Sequence, residues 1–194
     1  ILGSRIAVID SKIKVEGEVE IYDAEGHYVL PGIIDDQVHF REPGLTHKGT
    51  ITTESKAAIA GGITSFIEMP NTLPQTTTIE EWERKTKLAG NLSFANYAFM
   101  FGGTNDNLDE ILALDIKRVP ALKIFLGSPT GNMLVDNPKI IRQIFNNTDL
   151  VIAVHCEDET TIRDNMSKAE VIFGEDIPIE QHPIIRSEEA CYLS

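Results

Sequence analysis

The alternation of strand-like and helix-like segments is the feature that most constrains the fold of this chain. From residue 31 onwards, five short apolar segments typical of strands alternate with segments typical of helices. Parallel strands need crossover connections, which are usually helical and nearly always right-handed. The pattern therefore predicts an α/β fold with a parallel sheet. A doubly wound sheet and a (β/α)8 barrel both satisfy it.

The predicted elements follow one another at short intervals. The strands are expected at 33–40, 63–68, 93–101, 121–126 and 150–155. The helices are expected at 53–60, 79–88, 108–114, 138–145, 160–171 and from near residue 187. A complete TIM-type barrel takes roughly 200 to 250 residues. The 163 residues from Gly32 to Ser194 therefore predict a partial barrel, with about five of the eight units.

The first thirty residues have a different pattern. Three short segments mix β-branched with polar residues, at 5–9, 18–22 and 28–30. Strands this few and short are not stable alone. Residues 1–30 are therefore predicted to be part of a small β-sandwich domain, and residues 31–194 the N-terminal part of the barrel.

Composition excludes several classes of partner. A net charge of −13 disfavours nucleic acid and anionic membranes, so an anionic ligand would need a locally basic pocket. Two cysteines form no disulfide framework and suit a reducing cytoplasm. The sequence shows no signal peptide and no apolar run of the ~18 residues that span a membrane. The expectation is a soluble cytoplasmic protein. Because the first residue is Ile, we expect the natural start to be missing.

The segment PGIIDDQVHFR, residues 31–41, concentrates polar side chains on a predicted strand. Alternate residues of a strand share a face, which places Asp35, Gln37, His39 and Arg41 together. Such a face is costly to bury and is typical of a site for a metal, an anion or both. The alternative is a histidine that is only hydrogen-bonded in the core or at its rim.

Three further polar residues fall in or after predicted strands. Asn71 follows the second strand, Lys123 lies within the fourth, and His155 ends the fifth. In α/β barrels the C-terminal ends of the strands form the catalytic face. Each residue also has a structural interpretation: Asn71 as a turn cap, Lys123 as a snorkelling side chain and His155 as a hydrogen-bonding residue.

Several motifs together resemble one enzyme family. PGIIDDQVHFREPG is similar to the PGxxDxHxHxREPG signature of dihydroorotases, in the amidohydrolase superfamily, and HKGTI, AGGITSFIEMPNTLP, ALKIFLG and VIAVHCED follow in order. The resemblance implies a metal-dependent barrel with a small flanking β-domain. It also implies the interconversion of N-carbamoyl-aspartate and dihydroorotate in pyrimidine synthesis, with one or two zinc ions.

The resemblance assigns roles residue by residue. His39, Lys123 and His155 match the family's metal ligands, and Lys123 matches a lysine that many relatives carry as an N-carboxylated bridging ligand. Arg41 and Asn71 match the residues that hold the substrate's carboxylate. The catalytic residue itself stays unknown, because the family's catalytic aspartate and its sixth-strand histidine have no counterpart in this sequence. The chain alone is expected to be inactive, and a homodimer is left open.

Gln37 is the main departure from the family signature. It stands where the first histidine of the HxH pair is expected, and a neutral amide is a poor zinc ligand beside imidazole. Either one zinc at Lys123 and His155 suffices, or another group completes the first position, or the protein is a degenerate homologue. Asp35 matches the aspartate of the signature and is interpreted as support for the ligands.

Two alternative functions follow from these residues. One is another cyclic-amide hydrolase, such as an allantoinase or a dihydropyrimidinase. Arg41 argues against it, because only a ring that carries a carboxylate needs that cation. The other is a non-catalytic dihydroorotase-like partner of another pyrimidine enzyme, which Gln37 favours.

Overall fold

The strands of residues 32–194 are parallel and follow one another in chain order. The computed structural model describes residues 1–3, 5–127 and 132–194 and divides into two compact units, residues 1–31 and 32–194. The described strands are β1 Ile33–Val38, β2 Ile63–Glu68, β3 Asn96–Phe99, β4 Phe101–Gly102, β5 Leu122–Phe125 and β6 Ile152–His155. They form two sheets, ordered β1-β2-β3 and β4-β5-β6.

A single residue, Met100, separates β3 from β4. Its N–H donates to the carbonyl of Glu68 at 3.0 Å, on the β2 side. The N–H of Phe101 then donates to the carbonyl of Ala121 at 3.1 Å, on the β5 side. The predicted strand 93–101 is therefore one segment that pairs first with one neighbour and then with the other. This sequential order fits a barrel, because a doubly wound sheet reverses its strand order at a switch point.

Helices connect the strands as the alternation predicted. They are α1 Ile51–Ala60, α2 Ile79–Leu92, α3 Leu108–Leu112, α4 Pro138–Asn147, α5 Glu159–Phe173, α6 His182–Ile185 and α7 Glu188–Leu193, with a 3-10 helix at Ile179–Gln181 before α6. Side-chain caps fix several starts: Thr50 and Thr53 form a capping box before α1, and Asp158 accepts the N–H of Thr161 in α5. The short helices at 179–185 were not predicted, because the sequence indicated only a polar stretch there.

The two faces of the sheets differ in chemistry. Buried aromatic and aliphatic side chains pack between strands and helices: Phe66, Phe99, Phe101, Leu122 and Ile124. A smaller cluster holds Met69, Met100 and Ala121. Because Lys123 alternates with Leu122 and Ile124 along β5, its side chain lies on the face opposite to the helices.

Strand β1 is shorter and less regular than predicted. It ends at Val38 rather than at residue 40. Asp35 pairs with Phe66 and Val38 pairs with Glu68, so three steps of β1 oppose two of β2. A bulge of this kind interrupts the alternation of side chains. The prediction that Asp35 and His39 share a face assumed an unbroken alternation of side chains. Because the bulge lies between these residues, that assumption does not hold.

Residues 1–31 also differ from the prediction. Among their described residues there is no strand, only an isolated antiparallel bridge between Leu2 and Arg5. The segments 5–9, 18–22 and 28–30 leave most of their apolar side chains exposed. A strand forms only where a partner pairs with its backbone along several residues, and among the described residues of this unit such pairing is limited to that one bridge. The assignment of these residues to a β-sandwich domain stays a prediction.

The long loop expected at 127–138 lies partly outside the described residues, because these do not include 128–131. No described helix is both long and apolar enough to cross a membrane.

We predict that the strand–helix core responds to the loss of a single side chain in β5. Ile124 is fully buried, so Ile124→Ala should lower the free energy of unfolding by about 2–5 kcal/mol. Chemical denaturation followed by circular dichroism measures the change. Ile116→Ala is the control, since Ile116 is 55% exposed, and it should change stability by less than about 0.5 kcal/mol. Equal losses in the two variants would contradict this packing.

Candidate metal and substrate site

His39 and Asn71 form a direct contact between the ends of β1 and β2. The Nδ1–H of His39 donates to Oδ1 of Asn71 at 2.9 Å, and Asn71 is buried. His39 is exposed overall, but partial desolvation of its ring lowers its pKa, and the positive charges of Arg41 and Lys123 lower it further. Neutral imidazole is therefore favoured. With the proton on Nδ1, the lone pair lies on Nε2, which is the form that binds a metal.

Arg41 occupies an uncommon backbone conformation beside this histidine. Its φ is +72°, in the left-handed region that side chains other than glycine seldom adopt. The N–H of Arg41 donates to Oε1 of Glu68 at 3.1 Å, and the carbonyl of Arg41 accepts the N–H of Leu45 at 3.0 Å. Both hydrogen bonds stabilise this conformation.

The loops after β1 and β2 interlock. The N–H of Leu73 donates to the carbonyl of Pro43 at 3.1 Å. Gly44 has a φ of +84°, and a Cβ there would lie 2.1 Å from the carbonyl oxygen of Leu73. Only glycine fits such an approach. The loop that carries Arg41 therefore has a fixed position relative to the loop that carries Asn71.

Lys123 is a buried cation on β5. It is 5% exposed, and burial lowers the pKa of its amine. The Nζ atom lies 5.0 Å from the centroid of the Phe125 ring. This environment favours the neutral amine more than water does.

His155 belongs to a chain of charged hydrogen bonds. The Nε2–H of His155 donates to Oε2 of Glu157 at 2.6 Å, and Nε of Arg186 donates to Oε1 of Glu157 at 2.8 Å. The Nη2 atom of Arg186 also contacts Oε2 of Glu157, and the carboxylate raises the pKa of the guanidinium. In the neutral form of His155, the lone pair is on Nδ1.

A close backbone approach fixes the position of Glu157. A Cβ on Gly127 would lie 2.0 Å from the carbonyl oxygen of Glu157. The N–H of Leu126 donates to the carbonyl of His155 at 2.9 Å. The end of β5 therefore lies directly against the segment that carries Glu157.

Contacts link the predicted site residues into two groups, one around His39 and one around His155. His39 is hydrogen-bonded to Asn71, and the positive charges of Arg41 and Lys123 both act on His39. The ring of Phe125 lies 6.3 Å from that of His155 and contacts Lys123 on its own strand. Their convergence on one cation stays a prediction.

Asp35 and Gln37 lie at the β1 bulge. Oδ1 of Asp35 accepts the N–H of Gln37 at 3.1 Å, and Gln37 is exposed. The Asp35 carboxylate therefore supports the backbone of the bulge.

The donor set suits a metal only with a change at Lys123. No three His, Cys, Asp or Glu side chains among the described residues group closely enough to hold an ion. A protonated lysine repels a cation, whereas an N-carboxylated lysine presents a carboxylate. His155 with a carboxylated Lys123 would supply nitrogen and oxygen donors of the kind that zinc binds.

Four of the residues in these contacts were not assigned a role from the sequence. Glu157 accepts a hydrogen bond from His155 and another from Arg186. Glu68 and Lys85 form a buried ion pair, with Oε2 of Glu68 3.1 Å from Nζ of Lys85. Glu157 lies within the VIAVHCED motif and Glu68 within AGGITSFIEMPNTLP. Their position in those motifs was the available signal.

Sequential parallel strands with polar side chains at their ends define an α/β-barrel type of protein. Residues 26–120 match the sequence model of the Dihydro-orotase-like family. The chain thus carries a dihydroorotase-like domain of the amidohydrolase superfamily.

Individual relatives agree with this assignment. The chain is 33% identical over 193 residues to the dihydroorotase of Methanosarcina acetivorans. This alignment covers 98% of this chain and 40% of the relative. It is 31% identical over 176 residues to the L-hydantoinase of Paenarthrobacter aurescens. That alignment covers 87% of this chain and 38% of the relative. The solved L-hydantoinase (dihydropyrimidinase) from Arthrobacter aurescens has a TM-score of 0.80 and 29% identity, over 87% of this chain and 38% of that chain.

These similarities confirm the predicted α/β fold and the predicted family. The chain spans about two fifths of the length of these relatives, in accord with the expectation of a partial barrel. The relatives are cyclic-amide hydrolases of the dihydroorotase and hydantoinase types.

We predict that Glu157 strengthens metal binding through His155. In the full-length protein, Glu157→Gln should weaken zinc affinity about 10- to 100-fold, because the charged partner of the imidazole is lost. Competition with a chromophoric chelator measures the affinity. Glu175→Gln changes an exposed glutamate beyond α5 and should have no effect. An unchanged affinity for Glu157→Gln would remove Glu157 from the site.

Proposed function

We propose that the full-length protein is a zinc-dependent dihydroorotase. It would interconvert N-carbamoyl-L-aspartate and (S)-dihydroorotate in de novo pyrimidine biosynthesis. The observation that carries this proposal is the hydrogen bond between Asn71 and His39 at the ends of β1 and β2. The charge of Arg41 acts on the same imidazole and helps to lower its pKa. Family membership provides independent support.

The chemistry of this group suits an anionic ring. A guanidinium can bind a carboxylate through two parallel hydrogen bonds. Because Oδ1 of Asn71 accepts from His39, the Nδ2 group is the part of the amide that can donate to the same carboxylate. The chain's net charge of −13 repels anions in general, so a local cation is needed for this ligand.

His155 and Lys123 would hold the metal, with His39 at the neighbouring position. The burial that lowers the pKa of Lys123 increases the fraction of neutral amine, which is the form that adds CO2. A bound zinc ion supplies a water of lowered pKa and polarises a carbonyl. The residues of this chain would contribute the imidazoles and the carboxylate-binding pair that orients the ring.

The proposal keeps several broader expectations. The substrate is a small molecule, and neither nucleic acid nor membrane is a partner, as the acidic composition indicates. The cysteine content supports a cytoplasmic location. Residues 1–30 would contribute to a small β-sandwich domain, and a homodimer is the assembly to test.

We predict that Arg41 decides between carboxylated and uncharged rings. In the full-length protein, Arg41→Met should lower kcat/KM for dihydroorotate about 10- to 100-fold, which is the loss of one charged hydrogen-bonding partner. Activity on dihydrouracil or allantoin should stay very low in both forms. Steady-state assays with the three substrates measure this.

Arg142→Met is the matched control, because Arg142 is exposed on α4. It should leave the rates unchanged. If the unaltered protein turns over allantoin or dihydrouracil in preference to dihydroorotate, an allantoinase or dihydropyrimidinase function replaces the proposal. The similarity to L-hydantoinases makes this comparison necessary.

A non-catalytic partner of another pyrimidine enzyme is the second candidate function. Gln37 favours it, because the first HxH position lacks an imidazole. The two functions predict different metal contents. For a catalyst, elemental analysis of the full-length protein should find zinc, a chelator should abolish activity and added zinc should restore it. A protein without zinc, and without activity when zinc is added, would support the non-catalytic function.

A further inference from the structure

We propose that Glu68 and Lys85 form a buried pair that positions Arg41 and Asn71 and thereby sets the affinity for the carboxylate of the substrate. The inference rests on the proposed function, in which those two residues bind a carboxylate. Glu68 and Lys85 are positioning residues, because they act through the loops after β1 and β2.

The pair is deeply buried at the boundary between strand and helix. Glu68 ends β2 and Lys85 lies in α2; their residues are 1% and 2% exposed. Oε2 of Glu68 lies 3.1 Å from Nζ of Lys85. Burial raises the pKa of Glu68 and lowers that of Lys85, while the attraction between the two groups opposes both shifts.

Packing alone does not explain such a pair. Taking two charges out of water costs free energy that their attraction often fails to recover, and apolar residues of similar size commonly stabilise a core as well or better. A role beyond stability is therefore worth testing. The hydrogen bonds that leave the pair indicate which role.

Glu68 connects the pair to Arg41. Its Oε1 accepts the N–H of Arg41 at 3.1 Å, while its Oε2 faces Lys85. Arg41 needs such a contact, because its φ of +72° is unfavourable for a residue with a side chain. Loss of the acceptor should let the backbone at Arg41 relax and carry its guanidinium away from His39.

Lys85 connects the pair to the segment around Asn71. Its Nζ donates to the carbonyl of Met69 at 3.1 Å and contacts Oγ1 of Thr72 at 3.5 Å. Met69 and Thr72 flank the Pro70–Asn71 dipeptide in the sequence. One ammonium group therefore holds both sides of Asn71, and the buried pair joins the two loops that carry the carboxylate-binding residues.

This arrangement predicts a specific kinetic effect. Without the pair, the substrate must order the two loops on binding, so KM for dihydroorotate should rise while kcat changes little. A ligand that lacks the carboxylate does not use Arg41. Its affinity should therefore be unchanged.

The experiment compares two double variants of the full-length protein. Glu68→Leu/Lys85→Met removes both charges and the acceptor for Arg41, without leaving an unpaired buried charge. Glu68→Gln/Lys85→Met also removes both charges but retains a carbonyl oxygen that can accept the N–H of Arg41. We expect the first variant to raise KM for dihydroorotate at least tenfold with kcat within about threefold. The second should recover only part of the loss, because it restores the acceptor for Arg41 but not the contacts of Lys85 beside Asn71.

The control is an exposed ion pair between α2 and the turn that contains Arg118. Nη1 of Arg118 lies 2.6 Å from Oε1 of Glu83 in α2, and both side chains are about half exposed. Glu83→Leu/Arg118→Met should leave both kinetic constants unchanged. Thermal unfolding of every variant measures whether each one is folded.

Amide hydrogen exchange gives a readout that does not depend on the substrate. In Glu68→Leu/Lys85→Met, the N–H of Arg41 should exchange at least tenfold faster than in the unaltered protein, while amides in the centre of β5 keep their rates. Glu68→Gln/Lys85→Met should restore much of the protection. It also serves as the test if the leucine variant does not fold.

Three results separate the hypotheses. Unchanged exchange at Arg41 in a folded variant overturns the positioning role. Faster exchange with an unchanged KM for dihydroorotate, or with equal losses for carboxylated and uncharged ligands, overturns the role in affinity. If the unaltered protein does not use dihydroorotate but Arg41 still responds, only the proposed function fails and the positioning of Arg41 stands.

Discussion

Parallel pairing of neighbouring strands is the constraint on which the candidate site depends. Since all the described pairs are parallel and follow chain order, the C-terminal ends of β1, β2, β5 and β6 share one edge. His39, Asn71 and His155 come at or just after these ends, although they are far apart in the sequence. In barrels this edge is where ligands bind. The position of the site follows from backbone hydrogen bonds before any side chain is considered.

The sequence predicted the strands that are apolar and deeply packed better than those that depend on distant partners. Strand β2 was predicted with its observed bounds, because ITSFIE lies between Gly62 and the Met-Pro step. Strand β1 ends early because the bulge and the left-handed Arg41 depend on Glu68 and on the interlocked loops, which local patterns do not contain. The segments of residues 1–31 show β-propensity without a partner, and propensity alone does not form a sheet.

The same distinction applies to the site. Motifs identified His39, Arg41, Asn71, Lys123 and His155, and the structure adds the residues that hold some of them. Lys85 could have been noticed, since it lies three residues after Trp82 and four before Ala89, on the buried face of α2. A charged residue at such a position requires a partner. That the partner is Glu68 follows only from the packing of α2 on the sheet.

Met100 has a structural consequence for the evolution of this chain. The backbone exchanges its pairing partner there within one residue, from β2 to β5. One inserted or deleted residue would shift β4 by about 3.3 Å along its axis relative to β3, and it would turn the side chains of β4 to the opposite face. Phe101, which is fully buried, would then leave the core. Length changes should therefore be tolerated in the loops and selected against at this junction.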